Sequence, residues 1–145
     1  TGRSNPPFFQ KGDFMTVSEA ISRVDNLKPN QFVNTTKTRW LSELDMRIHK
    51  EIILTHEHES PIDFNGYDNE DGSMKLLAED PYSDLYIQWL FAKIDYNNGE
   101  FDRYANSYIM FNNAYADYAN MYNRTHMPLQ NNSIHNIRGF WYATA

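Results

Sequence analysis

The strongest constraint on what this chain can fold into is an aromatic stripe in its last third. Phe101, Tyr104, Tyr108, Phe111, Tyr115, Tyr118 and Tyr122 follow one another at spacings of three and four, the repeat that holds one face of an α-helix against a partner. A strand would send the members three apart to opposite faces. The segment therefore reads as one long helix with a helix-packing seam, ending by Thr125 ahead of Pro128. Asn97-Asn98-Gly99 stands just before it, and glycine supplies the left-handed backbone that closes a helix C-terminus. So short a link predicts an antiparallel helical hairpin. The preceding segment, Tyr82 to Tyr96, is apolar on nearly every side, the pattern of a helix enclosed by neighbours. Asp80-Pro81 predicts its start, with Asp as N-cap and Pro at the first helical position.

Two further helices precede this hairpin. Thr16-Val17-Ser18-Glu19 fits a capping box, in which the Thr hydroxyl and the Glu carboxylate each satisfy the other's free backbone N–H. Val17, Ala20, Ile21, Val24 and Leu27 give that helix one apolar face until Lys28-Pro29-Asn30 stops it. The next is predicted from Asn34, as N-cap, to about Leu54, an amphipathic surface helix with Leu41, Leu44, Ile48 and Ile52 on one stripe. Glu43, Asp45, Arg47, Lys50 and Glu51 take its other faces, with Glu43 and Arg47 at the favourable i,i+4 spacing.

Residues 55–79 break the helical pattern with Pro61, Gly66 and Gly72 and form a connection too long for routine use in a small domain. A short hairpin around Ile62 to Tyr67 is expected inside it. The expected fold class is thus all-α, a bundle of about four helices. A long acidic loop lies between helices 2 and 3, and extended arms lie at both ends. Residues 1–14 read as an N-terminal arm or an expression remnant, since Met15 is a plausible start. Residues 15–127 form the helical domain and 128–145 a C-terminal arm. Phe8, Phe9, Phe140, Trp141 and Tyr142 give the arms their aromatic content and make them candidate subunit contacts.

Composition narrows the function classes. The 145 residues include 41% hydrophobic residues and no cysteine, so the chain has a core to bury and no disulfide or thiolate chemistry. No run of eighteen apolar residues is present to span a bilayer, and a soluble, intracellular-type protein with no membrane partner is expected. The net charge of −6 argues against a protein that grips nucleic acid, since that affinity comes from Lys and Arg on phosphates. The charge is also concentrated. Residues 57–84 hold nine acids and one base, a balance of −8, and the rest of the chain sums to +2. Glu57, Glu59, Asp63, Asp68, Glu70 and Asp71 are the candidate functional residues of this loop, as a solvated segment or as a negative surface that repels phosphates or pairs with a basic partner.

Chemical motifs are few. His56-Glu57-His58-Glu59 lacks the second histidine of an HExxH zinc helix, because residue 60 is Ser. Asp68-Asn69-Glu70-Asp71-Gly72 fails the calcium-loop pattern, because Ser73 stands where glycine is required. No nucleophile elbow, phosphate loop or dinucleotide fingerprint occurs. No catalytic residue, metal ligand or cofactor is assigned, and an enzyme is not expected. A stacking platform for single-stranded nucleic acid is the rival reading of the aromatic seam, but only Arg103 is basic between Phe101 and Tyr122. A monomeric helical binding module with a metal or small-ligand site in loop 55–79 remains the alternative function.

The running text MTVSEAISRVDNLKPN (15–30), RWLSELDMRIHKEIILTHE (39–57) and DPYSDLYIQWLFAKIDYNNGE (80–100), with the Tyr104–His126 stretch ending YNRTH, resembles small helical head–tail connector proteins of tailed bacteriophages, also called adaptor or head-completion proteins. The resemblance covers residues 15–127 and neither arm. It implies a structural virion protein, assembled in the bacterial cytoplasm into the particle neck as a ring of about a dozen copies. Such a ring joins the portal protein to the next neck or tail-completion protein and continues the channel through which DNA passes without specific binding. Within that ring the acidic loop would face the lumen or dock a partner, the lumen being preferred.

Overall fold

A computed structural model describes residues 13–58 and 63–129. The elements are β1 (Phe14–Thr16), α1 (Val17–Leu27), α2 (Asn34–Ile48), a π-helical turn (His49–Ile53), β2 (Lys75–Glu79), α3 (Asp84–Asn97) and α4 (Phe101–Thr125). The molecule is mostly helical, and the all-α expectation is corrected by a small antiparallel sheet in which Phe14 faces Glu79 and Thr16 faces Lys75. β2 carries the period of two that a half-buried strand requires: Leu76 and Ala78 are buried and Lys75 is exposed. The expected hairpin is absent over its described part, Asp63 to Tyr67. The extended partner comes instead from Phe14-Met15-Thr16, a stretch too short to show an alternating pattern, with Met15 packed into the core.

The α1 capping box forms as the sequence predicts: Glu19 N–H donates to Thr16 Oγ1 at 3.1 Å and Thr16 N–H donates to Glu19 Oε1 at 3.0 Å. α2 has no side-chain cap, since Val33 occupies the cap position. At its far end the Leu54 N–H reaches the His49 carbonyl at 2.9 Å, an i→i+5 bond that converts the predicted last turn into a π-turn. α3 starts at Asp84 rather than Tyr82; residues 80–83 form turns in which the Ser83 hydroxyl donates to Asp80. Gly99 closes the hairpin at φ +78°, and its N–H donates to the Tyr96 carbonyl at 3.1 Å.

α3 is the central helix. Leu85, Tyr86, Leu90 and Ile94 are completely or almost completely buried, with α4 packed along it and α1 and α2 covering its other sides. The seam of α4 is graded. Phe111, Tyr118 and Tyr122 are buried, while Tyr104, Tyr108 and Tyr115 are half-buried. Phe101 departs from the expected packing: it is 59% exposed and meets only the edge of Tyr96, at 5.7 Å between ring centroids. Tyr96 stands in the last turn of α3 and is itself exposed, so Phe101 packs only at the rim of the helix pair.

Candidate functional site

The acidic loop lies on the surface and is ordered by its own backbone. Glu57, Asp63, Asp68, Glu70 and Asp71 are exposed; Glu59 lies outside the described residues, as do Phe8, Phe9, Phe140, Trp141 and Tyr142 of the arms. Asp68 Oδ1 accepts the Glu70 N–H at 2.8 Å, and Asp71 Oδ1 accepts the Ser73 hydroxyl at 2.6 Å and the Ser73 N–H at 3.0 Å. The Ser73 donors hold the Asp71 carboxyl below its ordinary value. The following carbonyls then close the start of α1: Ser18 N–H donates to Gly72 O and Val17 N–H to Met74 O, each at 2.9 Å, which satisfies donors that a helix N-terminus leaves free. The loop thus presents its carboxylates to solvent while its backbone is fastened to the bundle.

Its inner edge is fastened by a residue that the sequence reading placed on an outer face. Asp45 is 0% exposed. Tyr67 of the loop and Tyr86 of α3 both donate hydroxyl hydrogen bonds to its carboxylate, the second at 2.6 Å, and the Leu77 N–H of β2 donates at 3.1 Å. Tyr86 Oη in turn accepts the Ala78 N–H at 2.8 Å. One carboxylate therefore joins α2, the loop, β2 and α3. Burial pushes the Asp45 carboxyl up to about 6, against the pull of its three donors. Burial and the neighbouring Asp45 charge push both tyrosine hydroxyls well up. The signal was present in the spacing: Asp45 is four residues after Leu41 and three before Ile48, which puts it on the buried stripe.

The histidines of 55–79 have structural partners. His56 is buried, with Nδ1 2.7 Å from the Ile52 carbonyl and Nε2 2.8 Å from the Asn123 side-chain oxygen, tying the π-turn to α4. Beside it the backbone of 55–57 meets that of 127–129: Glu57 N–H donates to Met127 O at 2.8 Å and Leu129 N–H to Thr55 O at 3.0 Å. An open groove of about 570 Å3 includes Glu57, His58, Glu79, Tyr118 and His126 in its walls, and His126 stacks flat on Tyr122 at 3.8 Å. Among the described residues no set of three or more His, Asp or Glu side chains is placed to hold a metal ion.

A cation remote in sequence reaches the seam, and another lies over Trp89 of α3. Arg47 lies over the Tyr115 ring at 4.6 Å and Lys93 over Trp89 at 4.9 Å. Their carboxylate partners are Glu51 at 3.0 Å and Glu43 at 3.7 Å, so Arg47 pairs forward along α2 rather than back to Glu43. The Tyr115 hydroxyl donates to the same Glu51 at 2.9 Å, and these two donors hold the Glu51 carboxyl below its ordinary value.

Fold and site together define a small, mostly helical domain with an exposed acidic loop pinned to its core by a buried carboxylate. Comparison with protein-family models, curated proteins and solved structures finds no significant match. No helix among the described residues is long and apolar enough to cross a membrane.

Proposed function

We propose that the chain is a non-enzymatic structural component of a tailed-phage neck, forming an oligomeric ring that joins the portal to the tail and continues the DNA channel. The reading rests on the resemblance of residues 15–127 to connector proteins. The structural observation that supports it is the exposure of Asp63, Asp68, Glu70 and Asp71 on a rigidly packed helical body. A wall bearing these carboxylates repels DNA phosphates and lets DNA slide without sticking. The loop carboxylates accordingly face the lumen, and Phe8, Phe9, Phe140, Trp141 and Tyr142, outside the described residues, are the candidate contacts to neighbouring subunits.

Electron microscopy of the purified chain, alone and mixed with portal protein, tests this. Rings with a central channel are expected, with the loop of residues 63–74 on its inner wall. The triple variant D68S/E70S/D71S is expected to assemble normally and to retain DNA in a salt-dependent way. Rings that carry the loop on their outer rim remove the lumen assignment. The runner-up, a monomeric module with a metal or small ligand at loop 55–79, draws on the groove around Glu57, His58 and Glu79. Stoichiometric zinc or calcium in the purified protein would reverse the ranking.

A further inference from the structure

The open groove of about 570 Å3 beside the π-turn is lined by two carboxylates, Glu57 and Glu79, and by the aromatic side chains of Phe14, Tyr118, Tyr122 and His126. Among the described residues neither carboxylate is in an ion pair. Burial and the nearby Glu79 charge push the Tyr118 and Tyr122 hydroxyls up, so both side chains stay neutral beside that carboxylate. An arginine entering such a groove pairs with the carboxylates and lies on aromatic faces at once. Aromatic side chains next to it cover the remaining wall.

This chain carries a segment of that composition. All 19 Asp and Glu lie in residues 13–129, which have a net charge of −9, whereas residues 1–12 and 130–145 hold no acid and sum to +3 through Arg3, Lys11 and Arg138. Residues 130–145 lie outside the described residues, and in them Arg138 is followed by Gly139 and then Phe140-Trp141-Tyr142. The point where this arm departs is held in place. Residues 127–129 run antiparallel to 55–57, with Met127 opposite Glu57 and Leu129 opposite Thr55, so the chain leaves past Thr55, heading away from Glu57 and His126. Arg138 is nine residues beyond Leu129 and reaches up to about 30 Å from it, against a width of about 35 Å for a body of this size. Phe8 and Phe9 of the other arm stand five and four residues before Asp13 and reach about 17 Å at most.

We propose that the Arg138–Tyr142 segment of one copy docks in the groove of an adjacent copy, with Arg138 paired to Glu57 and Glu79 and with Phe140, Trp141 and Tyr142 against the aromatic walls. Charge selects this occupant: a basic arm free of acids meets the unpaired carboxylates of an acidic body. Direction and length select the adjacent copy, because the arm leaves heading away from its own groove and can span nearly the width of the body. An arm given by one copy and a groove offered by the next make a heterologous contact, which repeats from copy to copy and closes into a ring when the rotation allows. The proposal rests on the ring reading above and names the subunit contact within it.

The test uses the full chain, the charge-reversal variants R138E and E57K/E79K, and the triple variant R138E/E57K/E79K. Circular dichroism checks the fold, and glutamine replaces lysine if the groove variant fails to fold. Light scattering after size exclusion, from micromolar to millimolar concentration, reads the mass. The wild type is expected to exceed the mass of one chain, R138E and E57K/E79K to fall to it, and the triple variant, whose charges are exchanged, to regain the wild-type mass. The chain has no cysteine, so E57C and R138C chains, mixed and oxidised, report the contact directly. A cross-link from E57C of one chain to R138C of another is expected in excess over like pairs. In the double variant E57C/R138C, a closed single chain as the main product would place the arm in its own groove and overturn the proposal. If the wild type assembles and the variants assemble equally well, or if no mixed cross-link forms, the proposed contact is wrong and the ring reading stands on other surfaces. If the wild type stays at one-chain mass throughout, both the contact and self-assembly are overturned.

Discussion

Tyr86 and Asp45 meet 41 positions apart in sequence, hydroxyl to carboxylate at 2.6 Å and both completely buried. The same hydroxyl oxygen accepts the Ala78 N–H at 2.8 Å, so the pair links the strand to two helices. Tyr86→Phe removes the donor to Asp45 and strands a buried backbone N–H, and a loss of about 1–3 kcal/mol is expected. Asp45→Ala leaves three donors without their acceptor, and a larger loss of about 3–5 kcal/mol is expected. Urea denaturation followed by circular dichroism measures both. A Tyr86→Phe variant as stable as the wild type would show that the hydroxyl contributes nothing.

The elevated Asp45 carboxyl gives stability a specific pH dependence. Its folded-state value of about 6 lies above the ordinary 3.8, so between those values the folded chain holds a proton that the unfolded chain releases. The contribution of this group is most favourable below about pH 4 and is lost as pH rises through about 6. The span amounts to about 3 kcal/mol. Comparing wild type with Asp45→Asn across this range cancels the other carboxylates; the wild type should lose ground to the variant as pH rises. A difference independent of pH would show that Asp45 titrates normally.

The α4 seam should show an energetic gradient matching its burial. Phe111→Ala, at a completely buried site, is expected to cost about 3–5 kcal/mol. Phe101→Ala, at the exposed turn end of the hairpin, is expected to change monomer stability by less than about 0.5 kcal/mol. Thermal or urea melts of the two variants at low protein concentration compare them directly. Equal losses would mean that the first turn of α4 is packed as tightly as its middle.

Two glycines separate backbone strain from close approach. Gly66 and Gly99 both have positive φ, at 101° and 78°. A Cβ at residue 66 would also stand 3.1 Å from Ser42 Cβ and Oγ, while one at residue 99 would meet nothing within 4 Å. Gly99→Ala is therefore expected to cost about 1 kcal/mol from backbone conformation alone. Gly66→Ala should cost more, because the loop must move away from α2 and disturb the Tyr67 N–H bond to Ser42 Oγ, 2.8 Å long. Equal losses for the two would remove the steric part of the argument.

Helix periodicity, the Thr16–Glu19 capping box, the Gly99 stop and the α3–α4 hairpin were all legible in the sequence. Each depends on residues within about two turns of one another, and such local rules act without knowledge of the remaining chain. The candidate site was legible only as composition: the sequence placed nine acids in residues 57–84 but gave no sign of which stretch of that loop is fastened and which is free. Counting basic residues within the seam similarly missed Arg47, which arrives from α2.

The sequence by itself determined that this protein is mostly helical, that its third helix is buried on nearly all sides and that its negative charge is gathered in one loop. Tertiary structure alone decided that Phe14–Thr16 pairs with β2, that Phe101 lies at the rim of the helix pair, and that Tyr67, Leu77 and Tyr86 converge on Asp45. The physical reason is common to these three. A side chain's position on its own helix or strand is fixed by backbone geometry, but its solvent exposure depends on whichever distant segment covers that face. For Asp45 the cover is a tyrosine of the acidic loop, a strand and a helix, all more than twenty positions away in the chain.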